Sequence, residues 1–300
     1  MMASTTSLLW LITGCSSGFG FQLFLVALKA GHKVIATSRN PSKDLDLVQQ
    51  IEKLGGIWLA LDVNSGEAEI DQLVEMSCEI YGKIDILVNN AGVRILGAME
   101  DMSYEETRDI METNFFGPFK IIKSILPYMR SQKSGTIVNI SSAAGLQPRP
   151  SMSIYGASKW ALEGMSEGLA KEVAPFEIRV LIVQPGAFTT NMMDAVHMTE
   201  KPLSDVYKNT QVGEFVGAFG ENATFAAPND VEKGCQAIFK VITSTGRGAN
   251  KVNYIRMPLS KGCAQRTREH IKVLQEGHDV FRDIWESTEH DGGVLKAFQG

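Results

Sequence analysis

The stretch Leu8-Leu9-Trp10-Leu11-Ile12-Thr13-Gly14-Cys15-Ser16-Ser17-Gly18-Phe19-Gly20 decides how the rest of the chain is read. A short apolar run ending in a glycine-rich turn reads as a buried strand, and the apolar-periodic run that follows, to about Ala30, reads as a helix. Between them the glycines let the backbone turn tightly and approach a pyrophosphate. The charge of that group is then met by the free N–H groups and the dipole of a helix N-terminus. The spacing is TGxxxGxG rather than the GxGxxG of the standard dinucleotide fingerprint. Thr13, Gly14, Ser16, Ser17, Gly18, Phe19 and Gly20 are therefore the first candidate nucleotide contacts.

Outward from this turn, short apolar runs at 8–12, 33–38, 57–61, 84–88, 135–140 and 178–184 alternate with amphipathic stretches of helix length. Parallel neighbours need crossover connections, so this alternation predicts a single-domain α/β, Rossmann-type, doubly wound parallel sheet with helices on both faces. Nothing rich enough in Pro, Gly or Ser divides the chain, and 1–300 reads as one domain with its core over about 8–255. The pattern loosens at 187–227, as expected of a mobile segment covering a substrate. A last strand is expected near Lys251 to Ile255, followed by a polar helical tail over about 260–300, read as a surface helix or an oligomer contact.

The 300 residues are 44% hydrophobic and 21% charged, the composition of a globular protein. With 29 basic and 34 acidic residues, the net charge of -5 offers no general attraction to nucleic acid or an anionic membrane. Cys15, Cys78, Cys235 and Cys263 are far apart in sequence and show no metal-ligand spacing, so they read as reduced thiols and no metal is expected. The apolar run at 8–12 is too short for a membrane span or a signal-peptide core, which points to a cytoplasmic protein.

The second strand ends at Thr37-Ser38-Arg39, where an NAD-preferring fold would place an acid on the ribose 2′-hydroxyl. Ser38 and Arg39 suit a 2′-phosphate instead, since a guanidinium donates a planar fork of N–H bonds. NADP(H) is favoured over NAD(H). After the third strand, Asp62 and Val63 could hold the adenine amino group and wall its ring, or Asp62 could cap the following helix.

Asn89-Asn90-Ala91-Gly92 and Ser141-Ser142 each follow an apolar strand and so emerge at the C-terminal edge of the sheet, the ligand side of such folds. The two asparagine amides could serve a cofactor or the neighbouring backbone. Tyr155 and Lys159 follow at i and i+4, one helical face, where an ammonium favours phenolate and makes tyrosine a usable acid and base. In a chain with six tyrosines the pair alone says little. Its place after a serine-bearing strand end gives it weight.

Taken together, TGxxxGxG, Asn-Asn-Ala-Gly, the Asn114 of Thr113-Asn114-Phe115, Ser142, Tyr155-x-x-x-Lys159 and Pro185-Gly186 resemble, in order and spacing, the classical short-chain dehydrogenases/reductases over about 8–255. The wording is similar to a 17β-hydroxysteroid-dehydrogenase-like branch found widely in microbes. The resemblance implies a tetrad. Tyr155 would exchange a proton with the substrate oxygen, Ser142 would polarise the carbonyl, and Lys159 would lower the Tyr155 pKa and hold the nicotinamide ribose. Asn114 would kink its helix and position a water. It further implies that Asn90, Ala91, Gly92, Pro185, Gly186, Thr189 and Thr190 line the nucleotide site, and that the protein is a homodimer or homotetramer. Relatives that prefer NADP(H) often carry a basic residue where this chain has Ser17, which leaves Arg39 as the basis of the cofactor reading.

The substrate pocket is expected among Arg94, Ile95 and Leu96, residues 143–151 and the segment from Phe188 to about Phe225. Met192, Met193, Met198, Phe215 and Phe219 suit a hydrophobic ketone, aldehyde or alcohol. Arg94 reads as solvent-facing, with an anionic substrate group as the alternative partner. Imine or enone reduction on the same fold, and a non-catalytic NADP-sensing role, are the competing functions.

Overall fold

In the computed structural model, residues 7–189, 196–219 and 227–288 are described. The strands are β1 (Leu9–Ile12), β2 (Lys33–Ser38), β3 (Ile57–Ala60), β4 (Ile86–Asn89), β5 (Arg94–Leu96), β6 (Gly135–Ile140), β7 (Ile178–Pro185), β8 (Phe188–Thr189), β9 (Val196–Met198), β10 (Asn229–Asp230) and β11 (Arg256–Leu259). Seven of them form one sheet in the order β11-β7-β6-β4-β1-β2-β3, with every pairing parallel. The order reverses at β1, between β4 and β2, which places a crevice beyond the C-terminal ends of β1 and β4.

Alternation along each strand feeds two cores. Trp10, Ile12, Val34, Val88, Val138 and Val183 face one side and pack against α1 (Gly18–Lys29), α2 (Leu45–Lys53) and α8 (Val231–Ile242). Leu9, Leu11, Ile35, Leu87, Ile137 and Val180 face the other, against α3 (Glu67–Tyr81), α5 (Gly117–Gln132) and α6 (Ser153–Val173). A strand buried on both faces has no polar face to show, which is why these segments read as continuous apolar runs. Each such Leu, Ile or Val contributes roughly 1.5–3 kcal/mol of burial.

The last strand differs from the sequence expectation. It lies at 256–259, after the turns that hold 251–255, and Arg256 pairs in register with Ile182. Pro258 is tolerated there because β11 is the edge of the sheet. The described part of the covering segment is also more structured than its composition suggests. β9 pairs with β5, and α7 (Gln211–Gly217) follows. Two carboxylates beside α4 (Tyr104–Met111) tie the segment down. Asp101 accepts from the Ser204 backbone N–H at 2.8 Å and pairs with Lys201 at 2.6 Å, and Glu106 accepts from the Glu200 N–H at 2.8 Å. Hydrogen bonds from Lys201 and Ser204 hold the Asp101 carboxyl down at about 2. The polar tail forms α9 (Lys261–Val280) and α10 (Arg282–Glu286), largely exposed.

Candidate active site

The glycine turn is a backbone structure held by two side chains. Thr13 Oγ1 accepts from the N–H groups of Asn90 and Ala91 at 3.0 and 3.1 Å. Asn90 Nδ2 donates to the carbonyls of Thr13 and Gly14 at 2.9 and 3.0 Å. Gly14 and Gly18 have φ of +68° and +60°, the left-handed region that favours glycine. A Cβ on Gly14 would lie 2.8 Å from Ala91 Cα, and one on Gly20 would lie 2.5 Å from Asn90 Nδ2 and collide with the Gly14 carbonyl. Ser17, the N-cap of α1, gives no side-chain hydrogen bond to the first turn, and that turn carries no carboxylate. A bare helix N-terminus behind a turn with no room for a side chain fits a pyrophosphate. Phe19, by contrast, turns inward, edge-on to Phe188 at 4.9 Å.

Beyond the C-terminal ends of β2 and β3, the exposed Arg39 lines a cleft with Ala60, Leu61, Asp62, Ser65 and Glu69. Ser38 is buried and its Oγ accepts from Trp58 Nε1 at 3.0 Å. Asp62 caps no helix: it accepts from the Asn64 N–H at 3.0 Å within a turn, and α3 begins after Gly66. Val63 is buried in the core against Gly117.

The catalytic end is built from side chains. A single π turn, Glu112–Phe116, interrupts the path from α4 to α5 and carries Asn114. Asn114 Oδ1 accepts from the Val93 N–H at 2.9 Å, while Nδ2 donates to the Val93 carbonyl at 2.9 Å and to Ser158 Oγ at 3.0 Å. Lys159 Nζ donates to the Ile140 carbonyl at 3.0 Å and lies 6.0 Å from the Tyr155 ring centroid. Ser142 accepts from the Ala144 N–H at 3.1 Å. Asn89, the partner of Asn90, serves the framework, donating to Asn139 Oδ1 at 2.8 Å. Pro185 ends β7, and the Gly186 N–H donates to the Leu259 carbonyl at 3.2 Å. Thr189 is exposed, its hydroxyl donating to the Ala227 carbonyl at 3.1 Å. Thr190, Met192, Met193 and Phe225 lie outside the described residues.

Burial pushes the Tyr155 phenol up, and the Arg94 guanidinium and the Ser142 hydroxyl oppose that rise. Burial pulls Lys159 itself down to about 8, while the Glu163 carboxylate resists that fall. The Arg94 guanidinium is thus a positive charge felt by the Tyr155 oxygen. Arg94 does not face solvent as expected; it is largely shielded, and its guanidinium carbon stands 5.5 Å from the Phe219 ring centroid.

Glu163 went unread in the sequence. It accepts from Ser141 Oγ at 2.5 Å and from Gln184 Nε2 at 3.0 Å, and it pairs with Arg256, whose Nε also reaches Glu167 at 2.9 Å. One buried carboxylate thereby joins α6 to the ends of β6, β7 and β11. Its signal was present as a further i+4 step on the face of Tyr155 and Lys159. Among the described residues no cluster of His, Cys, Asp and Glu could hold a metal, and no helix is long and apolar enough to cross a membrane.

Residues 9–201 match the short chain dehydrogenase family. The chain is 48% identical over 187 residues to oxidoreductase claN of Passalora fulva, covering 62% of this chain and 84% of that one. A short-chain dehydrogenase from Streptomyces avermitilis superposes with a TM-score of 0.84 at 34% identity, covering 96% of this chain and all of that one. Nucleotides differ among solved relatives. An NAD+-bound xylitol dehydrogenase (28% identity, TM-score 0.59, 62% of this chain and 72% of that one) and a metagenomic short-chain oxidoreductase in complex with NADP (30%, 0.57, 61% and 84%) illustrate the two. With a fully parallel sheet, a glycine cradle and Tyr155 and Lys159 at one strand edge, the chain belongs to the short-chain dehydrogenases, oxidoreductases acting on CH–OH and C=O groups.

Proposed function

We propose that the protein catalyses NADP(H)-dependent reduction of a hydrophobic ketone or aldehyde to an alcohol, or the reverse oxidation, with Tyr155 exchanging the proton. One observation carries this reading: the buried Tyr155 and Lys159 sit at the C-terminal sheet edge, on the same crevice as the glycine cradle.

When bound, the nicotinamide nucleotide supplies or accepts the hydride. In reduction, Ser142 and Tyr155 donate hydrogen bonds to the substrate oxygen, and the Tyr155 proton passes to it as negative charge builds there. The phenolate left behind is favoured by Arg94 and Ser142. Lys159 commits one N–H to Ile140, which fixes its ammonium and leaves two donors for the nicotinamide ribose. Every side-chain group of Asn114 is engaged by Val93 and Ser158, so it acts by holding the π turn against the loop after β4.

Preference for NADP(H) is supported by Arg39 at the mouth of the adenosine cleft and by the absence of an acid at the end of β2. The apolar cluster of Leu96, Ala144 and Met152 around Tyr155, with Met198, Phe215 and Phe219 packed on it, supports an apolar substrate body. Phe116, Phe119 and Trp160 expose large apolar area on neighbouring elements, which supports a homo-oligomer. Four buried free thiols accord with a reducing, cytoplasmic setting.

The test is NADPH oxidation against panels of apolar ketones, aldehydes, imines and enones. Turnover of ketones or aldehydes is expected. Turnover confined to imines or enones, or NADPH binding without turnover of any carbonyl, overturns the reading.

A further inference from the structure

Arg94 opens β5, in register with Val196 of β9. Residues two apart on a strand share a face, so Arg94 and Leu96 point the same way. Leu96 is fully buried in the cluster that holds Ala144, Met152 and Tyr155. Arg94 is thereby directed at the apolar cluster around Tyr155, and its guanidinium stands over Phe219, which packs on Phe215 at 5.1 Å.

A guanidinium does not lose its charge, and a shielded one needs an anion or a full set of acceptors. Arg94 has no carboxylate within 4 Å among the described residues, and its Nε is buried with no hydrogen-bond partner there. Arg179 also has a buried, unmatched Nε, but its terminal nitrogens donate to the Val241 and Lys251 carbonyls on the far side of the molecule from this pocket. Among the described residues, the Tyr155 oxygen is the electrostatic counterpart of Arg94. An unmatched Nε–H is one tine of the side-on fork, Nε with Nη, that grips both oxygens of a carboxylate.

We infer that Arg94 is the anion-recognising residue of the substrate pocket, and that the substrate is an apolar ketone or alcohol bearing a carboxylate. The inference rests on the carbonyl-reductase reading of the same site. The carboxylate would lie against Arg94 and the apolar body against Met198, Phe215 and Phe219. The carbonyl would then be left to Tyr155 and Ser142.

Calorimetric titration of the NADP+-loaded enzyme with 2-naphthoate and its neutral isostere 2-naphthamide tests this directly. Wild type should bind the anion roughly tenfold or more tightly than the amide, the worth of a charge-assisted hydrogen-bond pair. Arg94→Leu should erase that preference, and Arg94→Lys, which keeps the charge without the fork, should retain part of it. Equal affinity of wild type for the two probes, or a preference that survives in Arg94→Leu, overturns the inference. Reduction of the uncharged 2-acetylnaphthalene by wild type reports separately on the catalytic reading. If binding discriminates but this and other ketones are not reduced, the catalytic reading fails and the anion site stands.

Discussion

The two ends of the crevice are built on different principles. At the Tyr155 end, Asn114, Ser158, Lys159 and Glu163 are buried, and their hydrogen bonds tie α6 to the π turn, to Ile140 of β6 and to Ser141 after it, so the side chains are held in place before a substrate arrives. At the other end, where we propose that the adenosine lies, Arg39 is exposed in an open cleft beside Asp62 and Glu69. Between them lies the glycine cradle, where the backbone itself forms the site. The contrast teaches that proton chemistry requires donors fixed in a shielded site, whereas choosing between two nucleotides requires only one side chain able to meet a phosphate.

Of the changes away from Tyr155, breaking the cradle should have the largest effect. Gly20→Ala places a methyl against the Gly14 carbonyl and 2.5 Å from Asn90 Nδ2. At an overpacking cost of about 2–3 kcal/mol, nucleotide affinity measured by fluorescence titration should fall roughly 100-fold, with a lowered Tm. Unchanged affinity would show that the turn is not where the nucleotide binds. Arg39→Ala should be milder. It should cut the NADPH-to-NADH ratio of kcat/KM roughly tenfold or more through the loss of one charged contact, with kcat unchanged. A constant ratio would move the source of preference elsewhere.

The smallest effect probes the buried network. In the free enzyme Lys159 titrates at about 8, so kcat/KM for the nucleotide should fall as pH rises through that value and the ammonium is lost. Glu163 opposes this loss, because a nearby negative charge favours the protonated amine. Glu163→Gln should therefore shift the alkaline limb to lower pH, with a change of less than about tenfold at pH 7. A limb that stays in place would make Glu163 purely structural.

The fold was legible because strands buried on both faces leave unbroken apolar runs, and because the TGxxxGxG turn fixes where the first crossover begins. The edge strand was misplaced for the opposite reason. Arg256 and Pro258 break the apolar run, and their fitness for that position depends on Glu163, Glu167 and a sheet edge far away in sequence. Tyr155, Lys159, Ser142 and Asn114 were legible as spaced types. What else surrounds Tyr155 was not: i and i+4 spacing places an ammonium near a phenol, but burial and the hydrogen bond from Lys159 to the Ile140 carbonyl depend on the sheet. Arg94 could not be read locally, since an arginine in a short polar-apolar segment looks solvated until β9 and Phe219 cover it.

The central claim, that Tyr155 is the acid of a carbonyl reductase, is tested most directly by single-turnover NADPH oxidation with an apolar ketone in Tyr155→Phe. The account predicts unchanged NADPH affinity and hydride transfer slowed about 10³-fold, within the range of a lost general acid. A rate within tenfold of wild type would contradict it.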